Sequence, residues 1–221
     1  MGLSHSPRIV TDGLVLCLDA ANKRSYPGAG TTWTDLTANK NNATLQNSPS
    51  FNSANAGIFT LDGTNQRAFI SNNDSFNFSD VISLSSWFNF NGLPGSELGL
   101  FRKTNQWQLG LQNSNTIRCL IGTYGTSGWI GGNDQNYTFV TGNWYNMTMT
   151  YDGSKMRIYV NGVLVKTATV TGTIATNTSD IQIGYHSAHL NGHLSNCAIY
   201  NSTLSASEVV QNYLATKGRF Q

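Results

Sequence analysis

The segment from Trp144 to Val170 constrains the fold of this chain more than any other part of the sequence. In Trp144–Tyr151, Tyr and Met side chains alternate with one Trp, one Asn and two Thr. This is the two-residue period of a β-strand with one buried face. The pairs Asp152-Gly153 and Asn161-Gly162 separate this run from the two alternating runs that follow, and such pairs are typical of two-residue hairpin turns. The segment therefore predicts a three-stranded antiparallel meander.

Further strand signals recur along the rest of the chain, and turn residues separate many of them. Short strands at a regular spacing are typical of a sandwich or a barrel. The longest irregular region, Ala20–Ser53, is predicted to contain short strands or to lie over a sheet. The strands predicted outside the meander are Gly13–Asp19, Gly57–Leu61, Ala68–Ser71, Ile82–Phe90, Leu98–Lys103, Gln106–Leu111, Thr116–Ile121, Asp180–Gly184 and His193–Tyr200.

The composition also favours an all-β protein. Only 11% of the 221 residues are charged, and Glu97 and Glu208 are the two glutamates of the sequence. Exposed helix positions are usually filled by Lys, Glu, Ala and Leu, so few long helices are expected. The length fits one sandwich better than two domains.

One helix is predicted near the end of the sequence. Ser205 precedes Glu208 by three residues, which is the spacing of a capping box. An apolar stripe follows until Gly218, and its members are Val209, Val210, Tyr213 and Leu214. We expect this short helix to cover an edge or an end of the sandwich.

The charge pattern excludes several classes of partner. The net charge is +2, and no segment concentrates basic residues, so binding to nucleic acid is not expected. No apolar run approaches the length of about 20 residues that spans a bilayer, and residues 1–13 lack the apolar stretch of a secretory signal. We therefore expect synthesis in a host cytoplasm without membrane insertion.

Cys17, Cys119 and Cys197 occur singly in apolar stretches and are predicted to be buried thiols.

Four segments resemble the laminin-G-like, concanavalin A-like jelly-roll domain: Phe59–Ile70, Ser83–Phe90, Asn143–Val165 and Ile181–Leu214. The most specific features are the meander followed by I-x-I-G, a strand that ends in Y-N, and a helix start of the form L-S-x-x-E. The opening from Gly13 to Leu45 and the ending ATKGRF resemble versions of the domain in structural proteins of tailed bacteriophages. The resemblance implies an all-β, two-sheet antiparallel jelly-roll sandwich with one short C-terminal helix. It implies a single laminin-G-like domain over residues 13–221. Residues 1–12, which are polar and without periodicity, are predicted to form an N-terminal arm.

The resemblance also implies a binding role for glycans or proteins, in some relatives with calcium at a rim. Relatives often carry an acidic pair where this chain has Asn65, Gln66 and Arg67, and an aspartate near Asn196. Hard cations prefer carboxylate ligands, so these departures weaken a divalent site. We therefore expect no resident cofactor, with calcium as the alternative.

Some proteins of this fold hydrolyse glucans, which requires two carboxyl groups about 5 to 9 Å apart. The sequence lacks the paired glutamates on one strand that such enzymes carry. Glu208 is assigned to the helix cap, and Glu97 stands alone in a Pro-Gly-Ser turn. We predict that the protein is not an enzyme.

The stretch Thr123–Tyr137 is the best candidate for a sugar-binding loop. Sugar recognition combines an exposed aromatic ring with neutral amides and hydroxyls, and this stretch supplies both. The alternative is that Trp129 belongs to the core and that the polar residues form only a turn. The candidate ligand-binding residues are Tyr124, Trp129, Asn133, Asp134 and Asn136.

A second candidate is the loop after the I-x-I-G strand, with Tyr185, His186 and His189 as ligand-binding residues. With His193, these histidines suggest a transition-metal site, because converging imidazoles bind such ions. The favoured alternative is a surface loop followed by a strand that starts at His193. The aromatic residues assigned to the core are Trp87, Phe88 and Trp144.

A sandwich without catalytic groups still presents loops and a sheet face to a ligand. We predict a non-enzymatic bacteriophage virion surface protein, either a capsid decoration or a tail-associated component, that contacts glycans or host surface polymers. It would bind other virion proteins through the candidate docking segment Met1–Thr11, either as a monomer or as a homo-oligomer. The alternative for this segment is a frayed terminus. The alternative function is a free-standing, calcium-dependent carbohydrate-binding lectin.

Overall fold

The computed structural model describes residues 7–122 and 134–220, together with the backbone of residues 129–130. Within these residues the chain forms two antiparallel sheets and one α-helix, which confirms the predicted jelly-roll sandwich. The strands are β1 (Leu14–Asp19), β2 (Thr32–Trp33), β3 (Ala43–Gln46), β4 (Ser50–Asn52), β5 (Ile58–Asp62), β6 (Arg67–Ile70), β7 (Ile82–Gly92), β8 (Leu98–Lys103), β9 (Trp107–Asn113), β10 (Thr116–Gly122), β11 (Trp129–Ile130), β12 (Gln135–Asn136), β13 (Trp144–Tyr151), β14 (Lys155–Val160), β15 (Val163–Thr169), β16 (Ile181–Ile183) and β17 (Asn191–Tyr200). The helix α1 spans Ala206–Thr216.

The two sheets divide the strands between them. Sheet I has the order β15-β14-β13-β7-β17-β5-β4, and β1 also pairs with β17. Sheet II has the order β11-β10-β9-β8-β16-β6-β3-β2, and β12 also pairs with β10. Every strand predicted from the sequence has an observed counterpart, and the irregular region 20–53 contains β2, β3 and β4, as expected.

The core lies between the inner faces of the two sheets. The Tyr and Met side chains of β13 are buried in it, as the alternating pattern predicts. The opposite face of β13 is also buried, at Asn146, Thr148 and Thr150. A period of two therefore predicts which face meets the core, but it does not reveal that a further segment covers the other face.

The two predicted hairpin turns differ in outcome. Asn161 and Gly162 have φ angles of 52° and 78°, and Val160 pairs with Val163, so the two-residue turn is confirmed. The two-residue turn at Asp152-Gly153 is wrong, because Tyr151 pairs with Met156 and the connection is longer. The carboxylate of Asp152 accepts hydrogen bonds from the backbone N–H groups of Ser154 and Lys155. An aspartate that binds the backbone two and three residues further on stabilises such a longer turn.

Helix α1 begins with the predicted capping box, in which the Ser205 hydroxyl accepts from the Glu208 N–H. The helix ends at Thr216, two residues before the predicted stop, because a 3₁₀ turn over Lys217–Arg219 follows. It covers the outer face of sheet I instead of an edge or an end. The indole of Trp87 stacks on Tyr213, with 5.6 Å between ring centroids, and its Nε1–H donates to the Thr216 hydroxyl at 2.8 Å.

This cover corrects the assignment of two tryptophans to the core between the sheets. Phe88 belongs to that core, whereas Trp87 is buried under α1 and the C-terminal residues. Trp144 is half-buried on the outer face of sheet I, where Phe220 lies 4.5 Å from it between ring centroids. Strand register alone does not distinguish a side chain under a helix from one between sheets.

Residues at both ends of the described chain meet on sheet I. The Val10 N–H donates to the Asn212 side chain, and the Arg8 carbonyl accepts from Gln211. Docking of the N-terminal arm on a partner stays a prediction.

The three cysteines are buried, as predicted, and burial raises the pKa of each thiol to about 12. No helix in the described residues is long and apolar enough to cross a membrane.

Candidate ligand-binding site

The face of sheet II that points away from the core carries an unusual set of polar side chains. In β9 the side chains of Trp107, Leu109 and Leu111 enter the core, so Gln108 and Gly110 project to the other side. The alternation in β6, β10 and β16 places Arg67, Arg118 and Gln182 on this side. Strand β8 has a register shift between Gly99 and Phe101, and it places Arg102 on this side and the fully buried Lys103 on the other. We call this surface the sheet II face.

One continuous line of side chains, the central row, crosses five strands of the sheet II face. Arg102 in β8 pairs in register with Gln182 in β16 on one side and with Gln108 in β9 on the other. The row continues to Phe69 in β6 and to Leu120 in β10. Side chains that are direct cross-strand neighbours lie close together, so these five form one surface.

The middle of the central row holds three buried polar atoms without hydrogen-bond partners. They are Arg102 Nε, Gln108 Oε1 and Gln182 Oε1. Gln108 is fully buried and Arg102 is 8% exposed, whereas Gln182 is half-buried. Most buried polar groups in proteins are hydrogen-bonded, so three neighbouring exceptions in one row require an explanation.

Two glycines allow Arg102 and Gln108 to lie flat on the sheet. Gly99 and Gly110 are paired in the row next to the central row. A Cβ atom on Gly99 would lie 2.5 Å from Arg102 Cδ, and one on Gly110 would collide with the Leu98 carbonyl. Neither φ angle is positive, so close approach, and not backbone conformation, requires glycine at these positions.

At one end of the sheet II face, Arg118 binds two carboxylates. Its Nε and Nη2 donate to Asp134 at 2.9 and 2.8 Å, and its Nη1 donates to Glu97 at 3.3 Å. Glu97 also accepts from Gln108 Nε2 at 2.8 Å. The prediction that Glu97 stands alone is therefore wrong, because the hairpin of β9 and β10 brings both partners to it. The hydrogen bond to Asp134 raises the pKa of Arg118.

The loop Tyr185–His189 forms an aromatic rim that extends from Arg67 of β6 to the backbone of Glu97. The Arg67 guanidinium lies 4.6 Å from the centre of the Tyr185 ring, and the His189 ring lies 4.4 Å from that ring. Burial, together with the nearby charge of Arg67, lowers the pKa of His189. Burial and the charge of Arg102 likewise lower the pKa of His186. Both imidazoles are therefore neutral near pH 7.

The structure does not bring the three histidines together as a metal site. His193 belongs to β17 of sheet I and hydrogen-bonds Thr60, whereas His186 contacts Ser187. Among the described side chains, no three His, Cys, Asp or Glu residues converge on one point. The favoured alternative, a surface loop, agrees with the structure, although β17 starts at Asn191 and not at His193.

The described residues of the two candidate sugar-binding loops lie close together at the sheet II face. Asp134 binds Arg118, which binds the Glu97 side chain, and the Glu97 carbonyl accepts from the N–H groups of Ser187 and Ala188. Asn136 is exposed in β12. Tyr124, Asn133 and the side chain of Trp129 lie outside the described residues. Ligand binding by these loop residues stays a prediction.

The sequence analysis missed the residues at the middle of the face: Arg102, Gln108, Arg118 and Gln182. Gln108, Arg118 and Gln182 are long polar side chains between apolar neighbours in predicted strands, and that pattern was the available signal for them. Arg102 lies between Phe101 and Lys103 and lacks this signal. The pattern marks the side of the sheet away from the core, but it does not show which polar residues of neighbouring strands lie side by side there.

A cleft of about 360 Å³ lies on the opposite side of the molecule, between sheet I, α1 and residues 7–11. Cys17, Trp87 and Asn146 contribute to its lining. At its margin Asp19 and Arg219 form an ion pair at 2.8 Å. The charges of Asp19 and Arg219 neutralise each other, whereas Arg102 on the sheet II face has no ion pair. The sheet II face is therefore the better candidate for a polar ligand.

Comparison with known families identifies the fold. The family model described as the concanavalin A-like lectin/glucanases superfamily matches residues 62–210, more than half of the chain. The chain belongs to this superfamily. A comparison with curated protein sequences gave no match.

Solved structures share the superfamily fold at low sequence identity. The binding domain of Paraclostridial mosquitocidal protein 1 is 18% identical, with a TM-score of 0.70 over 91% of this chain and 52% of that one. The chain thus spans about half the length of that toxin domain. Domain 4 of a Geobacillus stearothermophilus arabinanase, solved with arabinotriose, is 17% identical, with a TM-score of 0.71 over 91% of this chain and 98% of that one. Trypanosoma rangeli sialidase, solved with the inhibitor DANA, is 16% identical, with a TM-score of 0.66 over 96% of this chain and 35% of that one.

Proposed function

We propose that this protein is a non-enzymatic carbohydrate-binding domain whose ligand lies on the sheet II face. The observation that carries the proposal is the central row, in which Arg102, Gln108 and Gln182 each have a buried polar atom without a partner. Such an atom costs about 1–3 kcal/mol, and a ligand that supplies the missing hydrogen bond recovers this cost on binding.

A saccharide suits the chemistry of this row. Sugar hydroxyls donate and accept hydrogen bonds, and the row combines a donor on Arg102 with acceptors on Gln108 and Gln182. Phe69, half-buried at the end of the row, supplies an aromatic ring for the apolar side of a pyranose. The arabinanase domain named above was solved with arabinotriose, which supports a saccharide ligand for this fold.

The arrangement of carboxylates supports a role without catalysis. Glycoside hydrolysis uses two carboxyl groups that face each other across the bond to be cut. On the sheet II face, Glu97 and Asp134 both bind Arg118, so a guanidinium occupies the space between them. The sialidase match concerns 35% of that enzyme's chain and shows a shared fold.

The test is binding to a broad glycan panel, followed by titration calorimetry with the best ligand. We expect Gln182→Leu to weaken binding about tenfold, because it removes the acceptor of a half-buried residue in the middle of the row. Arg157→Gln is the matched control, because Arg157 is a partly buried, ion-paired residue of sheet I. If no glycan binds, or if both variants bind as the parent does, the proposal is wrong. Release of reducing sugar from any panel member would refute the absence of catalysis.

We further propose that the domain is displayed on a bacteriophage virion, on a capsid or a tail. The support is the sequence resemblance of residues 13–45 and 215–220 to domains in tailed-phage structural proteins. Quantitative mass spectrometry of purified particles tests this location. A fixed copy number per particle would agree with it, and absence from particles would contradict it.

The calcium-dependent lectin is the second candidate, and the described residues give it little support. Asp62, at the rim where relatives carry acidic residues, accepts hydrogen bonds from the N–H groups of Thr64, Asn65 and Gln66. These bonds lower the pKa of Asp62 despite the opposing effect of burial, and they commit its Oδ1 atom to the turn. Glycan binding that disappears in a chelator and returns with Ca²⁺ would favour this candidate.

A further inference from the structure

Building on the proposed function, we infer that the saccharide bound on the sheet II face carries a carboxylate group, which the guanidinium of Arg102 binds. The inference concerns the chemical class of the sugar. It depends on the charge balance along the face and on the type of polar atom on each side of Arg102.

Arg102 differs from the other buried or ion-paired cations of the protein because no described side chain forms an ion pair or a hydrogen bond with it. Burial lowers its pKa, although the charge of Glu97 opposes this effect. Arg118, Arg157 and Arg219 each have a carboxylate oxygen at 2.8 Å. The fully buried Lys103 donates to Asn77 Oδ1 at 3.3 Å and to the Asn177 carbonyl at 3.0 Å. Arg102 is 8% exposed and makes no ion pair, and its Nε is unpartnered. A buried charge without a partner is costly, so an anion that enters beside it binds favourably.

The carboxylates of the sheet II face cannot take this role in the observed arrangement. Glu97 binds Arg118 and Gln108, and Asp134 uses both oxygens on Arg118. Arg67 donates to Gln46 and stacks on Tyr185, also without an ion pair among the described side chains. Arg102 and Arg67 are therefore cations of the described sheet II face that lack an ion-paired carboxylate. An anionic ligand would be drawn toward these two guanidinium groups.

The neighbours of Arg102 favour a carboxylate over a sulfate or phosphate. A guanidinium fork binds the two oxygens of a planar carboxylate through parallel hydrogen bonds. Gln108 and Gln182, on either side of Arg102 in the central row, present unpaired carbonyl oxygens, which are acceptors. These oxygens suit the hydroxyl groups beside the carboxylate of a sugar acid. They would repel the additional anionic oxygens of a sulfate or phosphate.

Matched pairs of saccharides test this inference without any change to the protein. The probes are oligosaccharides of galacturonic acid, glucuronic acid and sialic acid, each compared by titration calorimetry with its methyl ester and with a sulfated neutral analogue. We expect at least one acid to bind ten to a hundred times more tightly than its ester, because the ester cannot form charge-assisted bonds with Arg102.

The variants Arg102→Gln and Arg102→Lys locate the effect. Arg102→Gln should reduce the affinity for the acid to that for its ester, and Arg102→Lys should give an intermediate affinity because it retains the charge without the fork. Arg157→Gln is the control and should bind as the parent does. Thermal unfolding of each variant shows whether the fold is intact, and the comparison of acid with ester remains decisive if Arg102→Gln does not fold.

The outcomes separate this inference from the proposed function. Equal binding of acids and esters, binding of neutral sugars alone, or stronger binding of the sulfated analogues would overturn the inference and leave the proposed function standing. Failure to bind any saccharide would overturn both. Preference for an acid that persists unchanged in a folded Arg102→Gln protein would contradict the assignment to Arg102.

Discussion

The outer faces of the two sheets follow the same strand pattern and have different environments. On sheet I, the Ser83 hydroxyl donates to the Ser202 carbonyl and accepts from Leu204 N–H, and Ser85 accepts from Asn146 and Thr148. Helix α1 and the residues that follow it complete this cover. Sheet I has isolated unpaired atoms at Asn89 and Thr150, which are not register neighbours. On sheet II, by contrast, three unpaired atoms are adjacent in the central row.

This difference separates stability from binding. Where a segment of the same chain covers a sheet, its hydrogen bonds and packing are part of the folded state and contribute to the free energy of unfolding. Where polar atoms remain unpaired, they lower stability and become useful only when a partner binds. Substitutions on sheet I should therefore change stability, and substitutions in the central row should change binding.

The largest effect is expected from Trp87→Ala. The Trp87 ring lies 4.3 Å from Phe220 and 5.6 Å from Tyr213 between centroids, and it is 3% exposed. Its removal should lower the free energy of unfolding by about 3–5 kcal/mol, because a large cavity opens under the helix. Urea unfolding followed by circular dichroism measures the change.

Trp87→Phe is the control for this prediction, because it retains most of the ring and loses the hydrogen bond from Nε1 to Thr216. We expect it to cost about a third as much as the alanine variant. Saccharide binding by the folded fraction of either variant should equal that of the parent. Loss of binding at unchanged secondary structure would show that the sheet I face is part of the binding site.

Gly110→Ala tests the close packing of the strands that carry the central row. A Cβ atom at this position would collide with the Leu98 carbonyl, so β8 and β9 would have to separate locally. We expect the free energy of unfolding to fall by about 1–3 kcal/mol, and saccharide affinity to fall with it, because Arg102 and Gln108 would be displaced.

Gly95→Ala is the matched control for Gly110→Ala, since no atom lies within 4 Å of the position that its Cβ would take. It should change neither stability nor affinity. A Gly110→Ala protein with the parent's stability and affinity would show that the sheet tolerates a Cβ atom at this point. It would also show that the close approach of β8 and β9 does not hold the central row in place.

The contrast between the faces also explains which features could be predicted from the sequence. The alternation in β13 predicts its core face, and Asn161-Gly162 predicts a turn, because both depend on residues close together in the sequence. The central row depends on the register of β8 with both β9 and β16, and β16 begins only at Ile181, far along the chain from the other two strands. The pairing of Glu97 with Arg118 needs a hairpin to bring the two together, so its local turn context suggested an isolated glutamate.

Ser205→Ala should have a smaller effect on the cover of sheet I. The Ser205 hydroxyl caps α1 by accepting from Glu208 N–H, and its loss should lower the free energy of unfolding by about 1 kcal/mol. Ser205→Asp, which retains a capping oxygen, should restore most of this stability. Both variants should bind saccharide as the parent does. A change in affinity with Ser205→Ala would indicate that the two faces are coupled through the sandwich.

The smallest change in stability is expected from Arg102→Leu. The sign of that change tests most directly whether the sheet II face differs from the outer face of sheet I. The substitution removes an unpaired buried Nε–H and a charge without an ion pair, while leucine retains part of the apolar contact over Gly99. The free energy of unfolding should stay unchanged or rise by up to about 1 kcal/mol, since the desolvation cost of Arg102 disappears. Arg118→Leu, on the same face, should instead lower it by about 1–3 kcal/mol, because it leaves Glu97 and Asp134 without their partner. A loss of more than about 1.5 kcal/mol in Arg102→Leu would mean that Arg102 supports the fold. The sheet II face would then be a structural surface like that of sheet I, and the case for a ligand there would lose its physical basis.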